Sequence, residues 1–405
     1  MFVKRAGAVV AAAALLLGSA CGDDKEPAAE TPQATTGPDL SVGFVNAEGG
    51  TLSFPDTRIA TEVGVDHFNK TKGGVKGRPI KLVRCDVDGS PEKAIDCANK
   101  FVEAKVVAVL EGIGIGTDAM LPILKSAGIP LVGHVPFGAQ QQTSPDAYFL
   151  GSALPAIAAA PLKHFSDKGA KKLVYLAIEA PNTRRYFADN LEPVAKKLSL
   201  QVKPVYFNAA SPDFTVLVNT ALAEKPDVIG TAGLPEAMCT AMINAVRATS
   251  FKGEVFVGSC FDFVKTAGAK AEGVLAYSDT WWASAPDDAP PAKAQEIREY
   301  LSAMKAAGHE SKAITTGQVL FATVLDFGRI LSGVDGDVTP QAVHGALRAT
   351  RNFSGFMGGT LTCDGSAWKG QSSCGAGALV YQAKGGVMRP ITKDFVDVSA
   401  FAPAA

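Results

Sequence analysis

The stretch VVAVLEGIGIGTDAM, residues 106–120, contains the pattern that decides the fold. An apolar run ends at Glu111, glycines follow at positions 112, 114 and 116, and a helical pattern begins at Thr117. This order predicts a strand, a tight turn and a helix. Free backbone amides at such a turn attract a carboxylate or another anion, and glycines let a ligand or a second lobe approach the backbone. The alternative interpretation is a tight turn that binds no ligand.

The glycines do not form a dinucleotide-binding fingerprint. That fingerprint requires Gly-x-Gly-x-x-Gly and an acidic residue about twenty positions further on. Thr117 occupies the third glycine position, and the window near Pro136 contains no acidic residue. The sequence therefore does not predict a nucleotide site at this turn.

The sequence also contains no motif of a common enzyme class. A Walker loop, a Gly-x-Ser-x-Gly elbow and a His-Glu-x-x-His helix are all absent, and the five histidines are scattered. A formal net charge of −1 provides no basic surface for nucleic acid. We therefore predict a binding protein rather than an enzyme, without a cofactor or metal and without nucleic acid among its partners.

Strands and helices alternate on both sides of the quoted stretch. The predicted strands read LSVGFVN, IKLVRCD, VVAVLEG and IPLVG before residue 151, and KLVYLAI, VKPVYF, DVIG and VFVGS after it. The predicted helices include 117–127, 183–198, 214–223, 235–248, 295–306, 314–331 and 339–349. Alternation at this spacing predicts two parallel α/β units in series with right-handed crossovers. Late helices and a β-rich end from Phe353 predict that the chain passes between the units more than once.

The N-terminus has the pattern of an export signal. Lys4 and Arg5 precede an uncharged apolar run that ends in small residues, which predicts a signal peptide over residues 1–20. The sequence LGSAC that ends at Cys21 resembles a lipobox, so this cysteine is predicted to carry a lipid; the alternative is ordinary secretion. Residues 21–38 lack aromatic and branched aliphatic side chains and are predicted to form a flexible, lipid-anchored tether.

Six further cysteines are an even number in a chain with an export signal, which predicts a disulfide framework. Six cysteines allow fifteen pairings. Neighbours in sequence favour three local bridges, namely Cys85 with Cys97, Cys239 with Cys260, and Cys363 with Cys374. A cysteine-rich metal site would need close Cys-x-x-Cys spacing and clustered histidines, which the sequence lacks.

Four segments resemble one known family. They are NKTKGGVKGRPIKLV at 69–83, PEKA at 91–94 running into ANKFV at 98–102, SPDFTVLV at 211–218, and GFMGGTLTCDGSAWKG at 355–370. In this order they resemble the Leu/Ile/Val-binding proteins of ABC importers, which are type I periplasmic binding proteins. The resemblance implies two Rossmann-like lobes, joined by three hinge crossovers, that close on a ligand in the cleft. It places residues 39–151 and 284–351 in the first lobe and residues 152–283 and 352–402 in the second.

The resemblance also implies a function. The chain would be a monomeric extracytoplasmic lipoprotein, anchored to the outer face of the cell membrane or held in the periplasm. It would capture a small-molecule solute and deliver it to an ABC-importer permease. The alternative is an exported ligand sensor or an enzyme on the same two-lobe fold.

Carried over to this sequence, the family's ligand-binding positions fall on loops that follow the predicted strands. The candidate ligand-binding residues are Phe54, Gly114, Ile115, Gly116, Thr117, His134, Val135, Pro136, Phe137, Thr183, Pro235, Glu236, Asp262 and Trp281. The family's acidic residue for an amino group falls close to Cys260, so Glu236 or Asp262 would have to replace it. Trp281 has the alternative of a packed hinge residue, and His134 that of a loop or core residue. The expected ligand is an amino acid or a small carboxylated relative with aromatic or bulky apolar character.

Overall fold

The computed structural model describes residues 35–48, 50, 53–231, 233–258, 260 and 262–402. The predicted signal peptide, Cys21 and the predicted tether up to residue 34 lie outside these ranges. Within the ranges described, no helix combines the length and the apolar character that a membrane span requires.

Strands and helices alternate along the described chain, as the hydrophobic pattern predicts. The strands are β1 (Leu40–Ala47), β2 (Ile80–Val87), β3 (Val109–Glu111), β4 (Leu131–Gly133), β5 (Ala147–Ser152), β6 (Lys172–Ile178), β7 (Gln201–Phe207), β8 (Val228–Thr231), β9 (Glu254–Phe256), β10 (Leu275–Ser278), β11 (Phe353–Ser354), β12 (Thr360–Leu361), β13 (Ser373–Gly375), β14 (Leu379–Lys384) and β15 (Val387–Pro390). The α-helices are α1 (Pro55–Lys72), α2 (Pro91–Glu103), α3 (Leu121–Ser126), α4 (Leu154–Asp167), α5 (Pro181–Tyr186), α6 (Glu192–Lys197), α7 (Phe214–Ala223), α8 (Glu236–Arg247), α9 (Phe263–Thr266), α10 (Pro291–Ala306), α11 (Gly317–Ser332) and α12 (Pro340–Ala349).

Two mostly parallel sheets form the framework, which confirms the predicted α/β fold class. The first sheet has the strand order β13-β5-β4-β3-β1-β2, and all its pairings are parallel. The second has the order β15-β14-β10-β9-β8-β6-β7, with antiparallel pairings at the β14 and β15 edge. Phe44 and Val45 point to opposite faces of β1, and both are almost fully buried. Burial on both faces is expected of parallel strands that are covered by helices.

The chain passes between the two sheets three times. β5 of the first sheet leads through α4 into β6 of the second. β10 of the second sheet leads into α10 and α11, which pack against α1 beside the first sheet. β13 of the first sheet then leads directly into β14 of the second. These passages confirm the three predicted hinge crossovers.

The return of α11 to the first sheet depends on close helix packing. Gly328 of α11 lies against the ring of Phe68 of α1, where an added Cβ would come within 2.5 Å of the ring carbon Cζ. Phe68 is 1% exposed, so its ring has no room to move aside. A glycine at position 328 therefore allows the two helices to pack.

The last part of the chain is divided between the sheets. The sequence assigns residues 352–402 to the second lobe, whereas Ser373–Gly375 pairs as β13 with β5 of the first sheet. β14 and β15 join the second sheet, as the sequence predicts. A strand of three residues shows no hydrophobic period, so the sequence predicted the third passage at residues 351–352, whereas it lies between Gly375 and Leu379.

The predicted helix 183–198 is interrupted. It consists of α5, a π-helical turn at Phe187–Leu191, and α6. Pro193 has no N–H to donate to the carbonyl of Asp189, and its ring crowds that carbonyl, which favours a wider turn at this point. The predicted helix 117–127 is also not uniform, because it begins with a 3₁₀ turn at Thr117–Met120 before α3.

Two local predictions concern the start of α12 and the end of the predicted tether. Thr339 is the N-cap of α12, as predicted, and its Oγ1 accepts a hydrogen bond from the amide of Ala342 at 3.2 Å. The end of the predicted tether contacts the folded body, because the amides of Thr36 and Gly37 both donate to the carbonyl oxygen of Gly77 at 2.9 Å.

The three predicted local disulfides are present. Cys85–Cys97 joins β2 to α2, Cys239–Cys260 joins α8 to the loop after β9, and Cys363–Cys374 joins the chain after β12 to β13. Each bridge therefore connects elements that are also neighbours in sequence.

Candidate functional site

The candidate residues lie mainly where parallel strands end. Parallel strands of one sheet have their carboxyl ends on the same edge, and α/β proteins commonly bind ligands there. The structure places Phe54 before α1, Gly114, Ile115, Gly116 and Thr117 after β3, His134, Val135, Pro136 and Phe137 after β4, Thr183 in α5, Pro235 and Glu236 at the start of α8, Asp262 before α9, and Trp281 after β10.

Two glycines of the turn after β3 are required by neighbouring backbone and side chains. An added Cβ on Gly112 would overlap Asn46 Oδ1, and one on Gly116 would overlap the carbonyl oxygen of Gly89. Gly116 also has a φ of +79°, which favours glycine. Asn46 is fully buried, and its Oδ1 accepts a hydrogen bond from the amide of Ile113 at 2.9 Å. The turn is therefore shaped by packing against β1 and the turn at Gly89.

The third glycine, Gly114, covers the side chain of Glu111. An added Cβ on Gly114 would overlap the Glu111 carboxyl group. Glu111 is 1% exposed, and burial raises its pKa to about 7 against the opposing effect of hydrogen bonds from Thr117 and Gln141. Its Oε2 has no hydrogen-bond partner among the described residues. A carboxyl group that titrates near neutral pH thus lies directly under the turn.

The backbone of this turn has N–H groups without an internal acceptor. The amides of Gly114, Ile115, Gly116 and Thr117 donate to no described residue. Successive unpaired N–H groups form a concavity that binds anions. The hydroxyl of Thr117 is used internally, because this residue is fully buried and its Oγ1 accepts a hydrogen bond from Gln141 Nε2 at 2.8 Å. The backbone is therefore the part of this turn that can hold a carboxylate.

Gln141 connects the loops after β3 and β4. Its side chain is fully buried, and its Oε1 accepts hydrogen bonds from the amides of Phe137 and Gly138, each at 3.0 Å. Its Nε2 donates to Glu111 Oε1 at 2.9 Å and to Thr117 Oγ1 at 2.8 Å. One side chain thus fixes the positions of two loops that the sequence predicts to bind the ligand.

Phe137 presents an apolar ring at the edge of the first sheet. Pro136 before it is buried and Val135 is half-buried, whereas Phe137 is 39% exposed. An exposed ring whose backbone is fixed offers a surface for stacking and apolar contact without a large entropy cost.

His134 belongs to the hinge. Its Nε2 lies 2.9 Å from Asp279 Oδ1, and its Nδ1 lies 3.1 Å from Thr323 Oγ1. Asp279 Oδ2 accepts a hydrogen bond from the amide of Ser152 at 2.8 Å, so the network joins the end of β4, the first crossover and the second crossover. Burial raises the pKa of Asp279, but His134 and the Ser152 amide outweigh it and hold that pKa below its usual value. His134 therefore contributes to the hinge and does not present an open surface to a ligand.

The hinge contains a small cavity. It has a volume of about 20 Å³ and is lined by His134, Asp279 and Asp326, among others. This is room for about one water molecule, so the cavity is too small for a solute. Asp326 of α11 accepts a hydrogen bond from the amide of Phe356 at 2.8 Å, and burial raises its pKa to about 7.

We predict that Glu111 makes folding stability depend on pH. Its pKa is raised from 4.5 to about 7 on folding, so its contribution is fully present below pH 4.5 and is lost as the pH rises through about 7. This loss should be about 3 kcal/mol. In Glu111→Gln, which cannot ionise, the midpoint of urea unfolding should fall less between about pH 4.5 and about pH 8 than in the wild type.

Asp326→Asn provides the matched comparison for this prediction. Asp326 is also buried with a raised pKa, so its replacement should remove a separate part of the same pH dependence. A wild-type pH dependence in Glu111→Gln would contradict the assignment to Glu111.

Three candidate residues of the second sheet, namely Pro235, Glu236 and Asp262, lie close in sequence to the cysteines of a disulfide. Cys260 is 3% exposed and is bonded to Cys239, so a disulfide stands where the resemblance implies an acidic residue. Glu236 is half-buried in the first turn of α8. Asp262 is also half-buried, and its Oδ1 lies 3.4 Å from the Nζ of Lys265. Thr183 and Pro235 are half-buried as well.

The other two candidate aromatic residues are packed. Trp281 is 4% exposed, and its ring meets that of Phe395 edge-on at 6.4 Å between centroids. Its amide donates to the carbonyl oxygen of Met357 at 2.6 Å, which fixes it in the second crossover. Phe54 is half-buried against the apolar cluster of β1 and α2. Of the candidate aromatic side chains, Phe137 is the exposed one.

Sequence reasoning missed Glu111, Gln141, Asn46 and Asp279. Glu111 could have been recognised from the sequence. An acidic residue at the end of an otherwise apolar strand is unusual, because acidic side chains are rarely buried. Gln141 carried none, because its importance depends on contacts with residues 30 and 24 positions away. Among the described residues, no group of three or more His, Cys, Asp and Glu side chains is arranged to hold a metal ion.

Two α/β sheets joined by three crossovers define a two-lobed architecture, and most of the candidate residues lie on loops at the strand ends. A sequence model of the family described as periplasmic binding protein matches residues 40–373, most of the chain. The chain belongs to this family, and its fold is that of a type I periplasmic binding protein. A search of curated proteins found no match.

Solved structures with the same fold include several solute-binding proteins. A leucine-binding protein from Thermotoga maritima is 18% identical, with 87% of this chain and 98% of that chain covered and a TM-score of 0.69. A branched-chain amino acid transporter substrate-binding protein from Streptococcus pneumoniae, in complex with isoleucine, is 19% identical over 87% and 99% of the two chains, with a TM-score of 0.68. An extracellular ligand-binding receptor from Verminephrobacter eiseniae is 18% identical over 86% and 99%, with a TM-score of 0.72.

Proposed function

We propose that this protein captures a small carboxylated solute outside the cytoplasm and delivers it to the permease of an ABC importer. The observation that carries the proposal is the row of unpaired backbone amides from Gly114 to Thr117, fixed through Gln141 beside the exposed ring of Phe137. The amides provide a site for a carboxylate, and the ring provides an apolar surface next to it. The family and its amino-acid-binding relatives support the transport role.

The solute is an amino acid or a close carboxylated relative with an aromatic or bulky apolar body. Its carboxylate would lie on the amides of the turn after β3, and its body against Phe137. Cys260 is bonded to Cys239 and cannot hold an ammonium group, so Glu236 or Asp262 would take that role. Carboxylates without an amino group are also allowed as ligands, because neither Glu236 nor Asp262 occupies the position of the family's acidic residue.

Binding is proposed to close the cleft by rotation about the three crossovers. The His134–Asp279 pair and the Ser152 amide join two of these crossovers at the point of rotation. Closure would bring Glu236 and Asp262 of the second sheet toward the amides of the first. Small-angle X-ray scattering should show a smaller radius of gyration when the solute is bound.

Mass spectrometry of bound small molecules tests the proposed function. The purified protein is incubated with a metabolite extract, washed, denatured and analysed for released compounds. We expect one chemically unaltered carboxylated compound. Retention of no carboxylated compound would contradict solute capture, and release of a converted product would favour an enzyme on the same fold.

Lipid anchoring through Cys21 is part of the proposal, and Cys21→Ala tests it. An uncharged run that ends in small residues precedes Cys21, and a polar segment follows it. We expect Cys21→Ala to move the protein from the membrane fraction to the medium or periplasm, whereas Thr31→Ala in the same segment should leave it in the membrane fraction. Membrane association that survives Cys21→Ala would refute the anchor and leave ordinary secretion.

We propose that the protein acts as a monomer, because one chain supplies both sheets and all three crossovers. Its partners are the solute and the permease, and its location is the outer face of the cell membrane or the periplasm.

A further inference from the structure

A second and larger concavity lies on the flank of the molecule. It has a volume of about 390 Å³ and is bounded by the loop after β4, the α5–α6 segment and the chain before β13. This volume is within the range of small-molecule sites. None of the candidate ligand-binding residues lines it. We call it the flank groove.

Three carboxamide side chains line the flank groove without internal hydrogen bonds. Asn190 is 3% exposed, and its side chain hydrogen-bonds to no described residue. Oε1 of Gln371 is buried and has no partner within the described part of the chain. Gln142 is half-buried, and no described residue bonds to its side chain. Buried amides normally have partners, so Asn190 and the Oε1 of Gln371 point to a bound molecule that supplies them, and the half-buried Gln142 lies beside them.

The α5–α6 segment is shaped to present Asn190. The π-helical turn at Phe187–Leu191 adds a residue to the turn, and Asn190 is buried in it together with Leu191. Pro193 causes the wider turn and also lines the flank groove. Single π-helical turns inside helices are frequent at functional sites.

The other walls give the groove an apolar side and a charged rim that is exposed to solvent. Trp368 is 3% exposed and is one of the residues that line the groove. Arg185, Lys369 and Asp189 lie on the rim, all exposed, which leaves one positive charge in excess. Solvent screens charges at an exposed rim, so the buried carboxamides determine which molecule fits.

We propose that the flank groove binds a small polyhydroxylated molecule, such as a monosaccharide or a cyclitol. Each carboxamide both donates and accepts hydrogen bonds, and each hydroxyl of a polyol does the same. The apolar face of a sugar ring suits the flat indole of Trp368. A carboxylate or an ammonium group would not use this alternation of donors and acceptors.

Fluorine NMR of the full chain tests this proposal. The protein contains three tryptophans, so labelling with 5-fluorotryptophan gives three signals, and Trp368→Phe identifies the signal of Trp368. The labelled protein is titrated separately with D-glucose, D-mannose, trehalose and myo-inositol, and with succinate and L-leucine as comparison compounds. We expect a saturable shift of the Trp368 signal with at least one polyhydroxylated compound and none with succinate or L-leucine.

Variants connect the shift to the carboxamides. Gln142→Ala and Asn190→Asp should each weaken the saturable binding about fivefold, which is the effect of one hydrogen bond. Lys196→Ala, an exposed residue of α6 that does not line the groove, should leave it unchanged. The proposal is overturned if no polyhydroxylated compound shifts the Trp368 signal, if succinate or L-leucine alone does so, or if Gln142→Ala binds as the wild type does.

Discussion

Gln141→Ala is expected to weaken solute binding at least about tenfold and to destabilise the protein by about 3 kcal/mol. The wild-type side chain makes four hydrogen bonds, two to backbone amides of the loop after β4 and two to Glu111 and Thr117 under the turn after β3. Each such bond contributes about 1 kcal/mol, and its loss leaves buried groups unsatisfied. A shift of about 1.4 kcal/mol in binding corresponds to a tenfold change in affinity. Calorimetric titration and urea unfolding measure the two effects.

Gln140→Ala is the matched control for this change. Gln140 is the preceding residue, and its side chain is exposed. Its contact with Asp118 is made by the backbone amide, which the substitution keeps. This variant should retain both affinity and stability. If Gln141→Ala loses stability but binds the solute as the wild type does, the loops after β3 and β4 are not part of the binding surface.

Removal of the Cys239–Cys260 disulfide is expected to have the second large effect. The bridge closes a loop with a sequence separation of 21, and such a loop contributes about 3 kcal/mol in the chain-entropy model. It also ties the loop after β9 to α8, which carries Glu236. Cys239→Ala/Cys260→Ala should therefore lower both the unfolding midpoint and the affinity for the solute.

Cys85→Ala/Cys97→Ala separates the two consequences. This bridge has a sequence separation of 12 and joins β2 to α2, away from the candidate loops of the second sheet. Its loss should reduce stability by a similar amount, about 3 kcal/mol. It should weaken binding less than the loss of Cys239–Cys260, because it acts on the turn after β3 only through the packing of Gly116 against Gly89. Equal loss of affinity in both double variants would show that binding responds to general destabilisation and not to the position of the loop after β9.

Patterns that are local in sequence predicted the larger part of the fold. Alternating strands and amphipathic helices, the N-cap at Thr339 and three disulfides between close cysteines all depend on near neighbours. The three-residue strand β13 and the π-helical turn at Phe187–Leu191 were not predicted. Short strands have no period, and the effect of a proline on helix type depends on the packing around it.

The candidate site was predicted less well, because its geometry depends on contacts between distant residues. The glycines at 112, 114 and 116 marked a tight turn after β3, yet each is required by an internal neighbour, of which Asn46 lies in another strand. Gln141 left no trace in the sequence, although it joins the two loops. Trp281 was predicted as a ligand contact with a packed hinge residue as the alternative, and the structure buries it in the hinge.

Calorimetry against a panel of carboxylates is the most direct test of the central claim. The panel contains leucine, isoleucine, valine, phenylalanine and a set of aromatic acids, with phenethylamine as the analogue of phenylalanine that lacks the carboxylate. Val216→Ala, an exposed apolar residue of α7, is the control for Phe137→Ala.

We predict that an aromatic or bulky apolar carboxylate binds more tightly than leucine, because it meets both the unpaired amides of Gly114 to Thr117 and the exposed ring of Phe137. Phenethylamine should not bind, and Phe137→Ala should weaken binding about tenfold, or about 1.4 kcal/mol, whereas Val216→Ala should not. Tight binding of leucine that Phe137→Ala leaves unchanged, or equally tight binding of phenethylamine, would contradict the proposed site.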